Sequence, residues 1–589
     1  MSDAPATRRA NEAWGRTIAA ALAAAGVRHV CVAPGSRSTP LVLALARRGE
    51  LRLVECLDER SAAFFALGAA RAAGDPAAVV TTSGTAVANL LPAAVEAAQS
   101  EVPLLLLTAD RPPPLRGSDA NQTIDQAAIF AGYARLVLDP GPPSAEAGAL
   151  RVLAAQVARA CAAARGRPAG PAHLNLPFAK PLEPATWPPG EDGVEVRVPR
   201  HHAGAAAPPQ DVADRVGAAL ASAERPLLVC GAVPDPGRVG REALALAGAA
   251  GVPVLADPLS GARFATGAPA AVAGAGDRFL TDASVRAALR PDFVVRVGAS
   301  PTSASAAALL EECGDAPQVV LDGGGRWKDH QALASDYVRA DEALALAALR
   351  RAADAPGDGA WLARWMGAEA AAQAELDAAL AEVSAGPDGL FEGAVARAVV
   401  ADLPAGATLF VSSSMPVRDV DAFAAPREAA LRVLGNRGAS GIDGVVSSAL
   451  GAAAALPDGA PALVALVGDL ALLHDANGLA LTAAAPSALF VVVNNDGGGI
   501  FQLLPVRELE PEFTRFFATP HGLDLAGLGT LHGVAHEVAP HVGALRAELA
   551  ARLAAGNGGL LEIATDREAN RIARDAVTRR VVDAARGAL

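Results

Sequence analysis

The chain has 589 residues, more than a single hydrophobic core accommodates, and domains of roughly 100–200 residues predict three or four of them. Its 50 basic and 63 acidic residues give a formal net charge of −13, and no run of Lys or Arg forms a stripe that could follow a phosphate backbone, so nucleic-acid binding is not expected. The five cysteines are odd in number and far apart, which is typical of buried thiols in a reducing compartment rather than of disulfides or a zinc site.

The N-terminal segment places charges ahead of an alanine-rich stretch and has no apolar core joined to a cleavage site. No stretch of about eighteen residues is apolar without interruption by charge or proline. We therefore predict a soluble, cytoplasmic protein without stable membrane insertion. Only Lys180 and Lys328 represent lysine, so anion recognition is expected to fall mainly to arginine.

The first third alternates helical and extended patterns. Helices are predicted at 11–26, 39–48, 59–73 and 86–99, and strands at 29–33, 51–56, 78–82 and 103–108. This rhythm predicts a doubly wound parallel sheet. Continuous apolar strands such as Leu104–Leu107 indicate burial on both faces of that sheet.

Proline-rich stretches at 181–189 and 199–209 predict a linker, after which two further α/β units follow. The predicted strands are 225–231, 251–255, 293–297 and 319–321 in the second unit, and 408–411, 431–433, 463–467, 489–493 and 560–563 in the third. The predicted domains are 1–185 (α/β), 186–210 (linker), 211–350 (central α/β), 351–385 (helical connector) and 386–589 (α/β). The fold class is α/β with three doubly wound parallel-sheet domains.

Polar residues follow two apolar runs of the third unit. The run at 461–467 leads to Asp469, and the run at 488–493 leads to Asn495. Parallel strands end at one edge of a sheet, where ligands bind, and Mg²⁺ is satisfied by a carboxylate, an amide oxygen and a carbonyl, with waters and phosphates completing its shell. We therefore predict a site for magnesium and a diphosphate, with Gly497 as the carbonyl donor. The alternative is a strand–turn–helix corner with ordinary Asp and Asn-Asp-Gly turn chemistry.

This spacing resembles the diphosphate-binding motif of thiamine-diphosphate (ThDP) enzymes, in which the Asp and the second Asn bind the metal, Mg²⁺ or Mn²⁺. The resemblance implies this role for Asp469 and Asn495. It also requires a Glu at a strand end in the first domain that holds the aminopyrimidine in its imino form. Glu59 follows the strand predicted at 51–56 and is the candidate. Its alternative role is a first-turn acid that stabilises a helix N-terminus by about 0.3–1 kcal/mol.

Further motifs make the resemblance more specific. The chain resembles the 2-succinyl-5-enolpyruvyl-6-hydroxy-3-cyclohexene-1-carboxylate (SEPHCHC) synthases of menaquinone biosynthesis over almost its whole length. The motifs, in chain order, are Ala33–Pro40 (APGSRSTP), Thr108–Pro113 (TADRPP), Asn121–Ile124 (NQTI), Ser413–Arg418 (SSMPVR), Asn436–Gly444 (NRGASGIDG) and Gly499–Phe501 (GIF).

The resemblance implies decarboxylation of 2-oxoglutarate and 1,4-addition of the succinyl carbanion equivalent to isochorismate. Both substrates are dicarboxylates, which arginine forks bind with fixed orientation. The implied roles are Ser414, Arg418 and Arg437 for the succinyl end; Ser36, Arg37, Arg111, Asn121 and Gln122 for isochorismate, with Arg37 and Gln122 also catalytic beside Glu59; and Gly468, Ser440, Ile442 and Phe501 for the cofactor. Ile442 would force the V-shaped cofactor conformer, and Phe501 would wall the site.

Ordinary structural roles are open for the same residues. Arg37 and Arg111 lie beside or near prolines and fit surface turns, Arg437 fits a solvated loop charge, and Ile442 fits core packing. The resemblance further implies that residues 1–185 bind the pyrimidine and residues 386–589 the diphosphate. The active sites would then form between subunits of a homodimer or homotetramer.

One segment departs from the family pattern. Where some members carry basic residues in the central domain, this sequence has Ala304 and Ser305, and Arg326 or Lys328 is the candidate replacement. Two other functions remain open: another ThDP enzyme, such as an acetohydroxyacid synthase or a 2-oxoacid decarboxylase, and a binding protein that has kept the fold and lost catalysis. The second is disfavoured because Glu59, Asp469 and Asn495 are all present.

Overall fold

The computed structural model describes residues 4–186, 197–353, 359–385 and 390–589. The chain divides into two compact units. Unit 1 comprises Met1–Gly204, Asn436–Asp458 and His474–Pro486, and unit 2 comprises Ala205–Gly435, Gly459–Leu473 and Ser487–Leu589. Three parallel sheets with flanking helices confirm the predicted α/β class.

The first sheet lies in unit 1 and has the strand order β2-β1-β3-β4-β6-β5. Its strands are β1 (His29–Val32), β2 (Arg52–Glu55), β3 (Ala77–Thr81), β4 (Leu104–Asp110), β5 (Leu136–Leu138) and β6 (Pro171–Pro177). Its helices are α1 (Ala4–Ala24), α2 (Thr39–Leu45), α3 (Glu59–Ala73), α4 (Thr85–Ala88), α5 (Leu91–Ser100) and α6 (Ala147–Ala164).

The second sheet lies in unit 2 and has the order β11-β10-β9-β7-β8. Its strands are β7 (Pro226–Cys230), β8 (Val254–Ala256), β9 (Phe293–Val297), β10 (Gln318–Leu321) and β11 (Asp336–Val338). The helices of this stretch are α7 (Gln210–Ser222), α8 (Pro236–Ala250), α9 (Ala268–Ala271), α10 (Gly276–Phe279), α11 (Ala283–Ala288), α12 (Ala304–Glu312), α13 (Glu342–Ala352) and α14 (Ala360–Ala385).

The third sheet, also in unit 2, has the order β13-β12-β14-β15-β17-β16. Its strands are β12 (Thr408–Val411), β13 (Arg432–Leu434), β14 (Leu463–Gly468), β15 (Leu489–Asn494), β16 (His536–Val538) and β17 (Gly559–Ala564). The helices of this stretch of chain are α15 (Glu392–Asp402), α16 (Met415–Phe423), α17 (Val445–Ala454), α18 (Asp469–His474), α19 (Ala526–His532), α20 (Val542–Ala555) and α21 (Arg567–Gly587). Of these, α17 belongs to unit 1. Counted from their own first strands, the first and third sheets share one order, 2-1-3-4-6-5.

Several features of the first sheet and its helices differ from the prediction. The helix predicted at 86–99 is broken into α4 and α5, because Pro92 lies in the first turn of α5, where its missing N–H costs no hydrogen bond. Strand β6 was not predicted, since it begins and ends with proline and carries two polar side chains, yet it is buried between β4 and β5. The short edge strands β5, β11 and β16 were missed as well.

The predicted linker and connector fall partly outside the described residues. In the linker, 187–196 are not described, and the described residues 197–209 contain no helix or strand. Helix α14 covers the predicted connector from residue 360 onward, while 354–358 and 386–389 are not described. The domain boundaries therefore stay a prediction.

Helix α6 is long and apolar enough, by length and composition, to cross a membrane. It carries Arg151 and Arg159, and its apolar face is buried in the core of the first sheet with residues of α1. A core helix of this kind passes the same test, so we assign α6 to the core of unit 1.

Helices α3 and α17 pack closely within unit 1. A Cβ atom on Gly68 would fall well inside contact distance of the Ser448 carbonyl oxygen. The hydroxyl of Ser448 donates to the carbonyl of Phe64 at 3.1 Å, so both backbones are held at this crossing. Only glycine at position 68 permits so close an approach.

We predict that Gly68→Ala lowers the free energy of unfolding by about 1–3 kcal/mol, because the backbone of α17 must shift. This loss outweighs the roughly 0.5–1 kcal/mol that alanine gains over glycine inside a helix. Urea unfolding of the wild type and of Gly68→Ala measures the loss of unfolding free energy. The control is Gly49→Ala, which meets no atom within 4 Å. Equal stability of the two variants would contradict the tight crossing.

His173 is a fully buried histidine on β6. Its Nε2 lies 2.7 Å from Thr108 Oγ1, and its ring stands edge-on to Phe130. Burial lowers the pKa of His173 to about 4, and the negative charge of Asp139 partly opposes this shift. Because the pKa of His173 is lower in the folded protein than in the unfolded chain, the unfolded chain binds the proton at a higher pH as the solution is acidified. The stability contributed by neutral His173 is therefore complete above about pH 6.5 and is lost as pH falls toward 4.

We expect His173→Gln to remove part of the acid sensitivity. Between pH 7 and pH 5 the wild-type protein should lose about 2 kcal/mol of unfolding free energy through this residue, since one pKa unit corresponds to roughly 1.4 kcal/mol. Urea unfolding at both pH values measures the difference. The control His202→Gln, at an exposed position, should show the same change in unfolding free energy between pH 7 and pH 5 as the wild type. The same change in His173→Gln would show that His173 is not the source of the acid sensitivity.

Candidate functional site

Asp469 directly follows β14 and begins α18. Its side chain is buried, and its oxygens are held by backbone: Oδ1 accepts from Leu470 N at 2.6 Å, and Oδ2 accepts from Gly497 N at 2.8 Å. Burial raises the pKa of Asp469, and these hydrogen bonds oppose the rise. A buried carboxylate oriented in this way is suited to a cation.

Asn495 follows β15, the strand that pairs with β14 in the register Gly468 to Val493. The predicted meeting of the two strand ends is therefore observed. Asn495 Nδ2 donates to Glu392 Oε1 at 2.8 Å. Its Oδ1 is buried and has no hydrogen-bond partner in the part of the chain that the structure describes. Such an orphaned oxygen fits a site for a hard divalent cation, because Mg²⁺ prefers oxygen ligands.

Gly497 joins the two ligand candidates through its N–H bond to Asp469. Its φ of 139° lies in the region that favours glycine, and a Cβ here would collide with the carbonyl oxygen of Ala518. The Gly497 carbonyl accepts from Gly499 N at 3.0 Å, which leaves its second lone pair available. The carboxylate, amide and carbonyl set predicted from sequence therefore fits Mg²⁺ or Mn²⁺.

His521 contacts the same carboxylate and was not predicted. Its Nδ1 accepts from Leu523 N at 3.0 Å, so Nε2 carries the ring proton of the neutral histidine and donates to Asp469 Oδ2 at 3.3 Å. Asp469 Oδ2 thus receives two donors, which fixes the carboxylate plane.

Glu392, the first residue of α15, was also missed. It is buried, and burial raises the pKa of its carboxyl to about 7, with a further contribution from Asp419. Its Oε1 accepts from Asn495 Nδ2 and from Thr565 Oγ1, the latter at 3.1 Å. The only sequence signal was an acidic residue in a first helical turn, which is ordinary.

Glu59 is the first residue of α3, at the end of the connection from β2. The helix is capped by Asp58, whose side chain accepts from Arg60 N and Ser61 N, so Glu59 is not needed as the cap. Glu59 is half-buried, and its Oε2 accepts from Asn89 Nδ2 at 3.2 Å. Its carboxylate therefore lies at the carboxyl edge of the first sheet, in unit 1.

Arg37 and Arg111 lie near each other at the same edge. Arg37 is buried, and its NH1 donates to the Phe178 carbonyl at 2.6 Å. Burial lowers the pKa of Arg37, and the charge of Arg111 lowers it further, while Asp110 raises it. Neither guanidinium forms a salt bridge with a carboxylate among the described residues. Ser36, the neighbour of Arg37, is exposed.

Arg111 also connects to the loop that carries Asn121 and Gln122. It donates to Ser83 Oγ, and its NH2 donates to the Asn121 carbonyl at 2.9 Å. Gln122 has a φ of 58°, and its Nε2 donates to the Ser83 carbonyl at 2.8 Å. The structure therefore places Arg111 in contact with the loop that carries Asn121 and Gln122, with Arg37 nearby.

Ser414 and Arg418 lie at the start of α16 in unit 2. Ser414 has a φ of 69°, and its carbonyl accepts from Arg418 NH1 at 2.7 Å. Arg418 has no carboxylate partner among the residues with described positions. The third residue predicted for the succinyl end, Arg437, belongs to unit 1.

The loop at 436–444 carries Arg437, Ser440 and Ile442. Buried Glu96 of α5 holds it, accepting from Gly438 N at 2.9 Å and from Ala439 N at 2.7 Å. Arg71 pairs with the same carboxylate. A cavity of about 160 Å³ lies between α5 and this loop. Glu96 is a supporting residue that the sequence did not reveal.

The remaining predicted residues are placed as follows. Gly468 ends β14, and Phe501 stands edge-on to Phe517 at 5.8 Å between ring centroids. In the central segment, Ser305 Oγ donates to the Asp277 carbonyl at 2.8 Å, and Lys328 Nζ lies 3.6 Å from Asp322 Oδ1. Lys328 therefore has a carboxylate partner within the protein, which weakens it as a replacement contact for the acceptor.

Comparisons with known proteins relate the chain to one group of enzymes. The family described as "Thiamine pyrophosphate enzyme, N-terminal TPP binding domain" matches residues 13–129. The 2-succinyl-5-enolpyruvyl-6-hydroxy-3-cyclohexene-1-carboxylate synthase of Halobacterium salinarum is 46% identical, covering 97% of this chain and 98% of that protein. The protein of the same name from Chloroflexus aurantiacus is 44% identical, covering 95% and 94%.

A solved structure shows the same fold. Benzoylformate decarboxylase from Polynucleobacter necessarius aligns with a TM-score of 0.71, covering 94% of this chain and 99% of that one, at 17% identity. The two synthases are 46% and 44% identical to this chain over nearly its whole length, whereas the decarboxylase is 17% identical. The chain is therefore more closely related to the synthases than to the decarboxylase. This chain belongs to the SEPHCHC synthase family of thiamine-diphosphate-dependent enzymes.

Proposed function

We propose that this chain decarboxylates 2-oxoglutarate and adds the succinyl carbanion equivalent to isochorismate, releasing CO₂, in menaquinone or phylloquinone biosynthesis. The observation that carries the proposal is a set of site arginines, Arg37, Arg111 and Arg418, that have no carboxylate partner among the described residues. Arg37 is buried, so its charge is costly unless a ligand neutralises it. Arg111 and Arg418 are half-buried, and both proposed substrates are dicarboxylates that could pair with them.

Asp469, Asn495 and the Gly497 carbonyl would hold Mg²⁺, or Mn²⁺, and through it the diphosphate of ThDP. When bound, ThDP supplies an electron sink that allows a 2-oxoacid to lose CO₂. Gly468 would lie beside the diphosphate. Ser440 and Ile442 belong to the loop that Glu96 holds. In the proposal Ile442 supports the cofactor and Phe501 walls the site.

Glu59 is the proposed proton-transfer residue. Its carboxylate would hold and release the proton that is exchanged with the pyrimidine ring of the cofactor. The side chain is free of helix capping, which Asp58 performs, and its Oε2 is oriented by Asn89. These contacts leave the other oxygen, Oε1, for that exchange.

The substrate carboxylates are assigned to two groups of residues. Ser414, Arg418 and Arg437 would bind the succinyl end. Ser36, Arg37, Arg111 and Asn121 would bind isochorismate, with Gln122 orienting the acceptor or a water. We also propose that two or four copies assemble with active sites between subunits, and that the enzyme acts in the cytoplasm.

The choice of 2-oxoacid tests the proposal. With isochorismate present, kcat/KM for 2-oxoglutarate should exceed that for pyruvate by about 10⁴ or more, because pyruvate leaves the arginine site without its carboxylate partner. Initial rates of CO₂ release with each 2-oxoacid measure the ratio. Equal use of pyruvate would favour an acetohydroxyacid synthase or a general 2-oxoacid decarboxylase.

A further inference from the structure

Glu392 is a buried carboxyl that contacts a predicted metal ligand, Asn495, and no part of the proposed reaction uses it. Its Oε1 receives two donors, Asn495 Nδ2 at 2.8 Å and Thr565 Oγ1 at 3.1 Å. Because both donors converge on Oε1, this oxygen acts as an acceptor toward Asn495 whether or not Oε2 carries a proton. Glu392 therefore presents an acceptor to the amide at all times.

The orientation of the Asn495 amide follows from this contact. An amide has one donating and one accepting end, and only the NH₂ end can face an acceptor. With Nδ2 directed at Glu392, Oδ1 is directed away from it, and this buried oxygen has no partner within the described ranges. The opposite amide rotamer would set two oxygens against each other.

A purely structural role does not explain the placement of Glu392. It is the first residue of α15, where an acid stabilises a helix N-terminus by about 0.3–1 kcal/mol. That terminus already has a partner, since Glu392 N donates to Asn570 Oδ1 at 3.1 Å. The Glu392 side chain is buried and directed at Asn495. Burial of a carboxyl is costly and needs a compensating role.

We infer that Glu392 is a positioning residue for the metal site: it fixes the Asn495 amide so that Oδ1, and not Nδ2, faces the divalent cation. The inference rests on the proposed function only in that Asn495 is a metal ligand. It adds an outer contact of the kind that commonly changes metal affinity about 10–100-fold when removed.

Mn²⁺ binding in the presence of ThDP, followed by the electron paramagnetic resonance signal of free Mn²⁺, tests the inference without substrates. Glu392→Leu should weaken Mn²⁺ binding about 10–100-fold. Glu392→Gln should recover most of the affinity, because the glutamine oxygen still accepts from Asn495 Nδ2. The control Glu369→Leu removes another buried carboxyl of unit 2, which bonds to Ala275 N and Gln373, and should bind Mn²⁺ as the wild type does.

A double-mutant cycle separates positioning from general destabilisation. In an Asn495→Ala background, Glu392→Leu should have no further effect on Mn²⁺ affinity, because the amide through which it acts is gone. Wild-type affinity in Glu392→Leu, or an equal loss in both backgrounds, would overturn the inference. Failure of the protein to use isochorismate would refute the proposed function and leave these binding results standing.

Discussion

Glu59→Gln should lose most of its turnover while still binding ThDP and Mg²⁺. Proton transfer by a positioned carboxyl contributes about 10²–10⁴-fold to a rate, so kcat should fall by that factor. The amide has nearly the same shape and can still interact with Asn89, the neighbour of Oε2. Steady-state kinetics with saturating cofactor, together with equilibrium dialysis of ThDP, measure the two effects separately.

The control for this variant is Glu55→Gln. Glu55, the last residue of β2, is exposed, so its substitution removes a carboxylate four positions before Glu59 without changing the contact of Glu59 with Asn89. We expect it to keep wild-type kcat. A Glu59→Gln enzyme with near-normal kcat would remove Glu59 from the reaction and leave it as a first-turn acid of α3.

Asp469→Asn should raise the Mg²⁺ concentration needed for ThDP binding by about 100-fold or more, since removal of even an outer contact costs about 10–100-fold. The substitution preserves side-chain volume and the acceptor for Gly497 N, while it removes the negative charge that a divalent cation requires. Equilibrium dialysis of ThDP across a Mg²⁺ titration measures the shift.

Asp583→Asn is the matched control in the same unit. Asp583 has 72% of its side chain exposed and pairs with Arg586 along α21, so its charge contributes little to the stability of the protein. ThDP binding by this variant should require the wild-type Mg²⁺ concentration. If Asp469→Asn bound ThDP at wild-type Mg²⁺ concentrations, Asp469 would be an ordinary corner residue.

Local patterns predicted much of the fold. Helix α3 begins and ends where predicted, because apolar and alanine positions recur at helical spacing between the Asp58 cap and Gly74. Strands β9 and β12 also match, since continuous apolar runs mark buried parallel strands. Strand β6 was missed because its polar residues His173 and Asn175 make their side-chain hydrogen bonds with residues distant in sequence.

The candidate site was predictable where its residues follow strands. Asp469 and Asn495 come together because β14 and β15 are paired, and sequence spacing alone indicates that pairing. The structure adds a feature that no pattern reveals: Gln122, Ser414 and Ser440 have φ values of 58°, 69° and 60°. Positive φ at such residues is costly and is concentrated at functional sites.

The supporting residues were not predictable. Glu96, Glu392 and His521 act through contacts with chain segments far away in sequence: Glu96 with the loop at 436–444, Glu392 with Asn495, and His521 with Asp469. A lone Glu on a helix or a lone His in a loop carries no periodic signal. Only the folded arrangement distinguishes these residues from ordinary surface charges.

The most direct test of the proposed activity is the stoichiometry of substrate loss in the purified protein with ThDP and Mg²⁺. We expect 2-oxoglutarate and isochorismate to disappear together, mole for mole, and omission of either substrate to stop the loss of the other. Sustained loss of 2-oxoglutarate without isochorismate, or tight ThDP binding with no turnover of either substrate, would contradict this expectation.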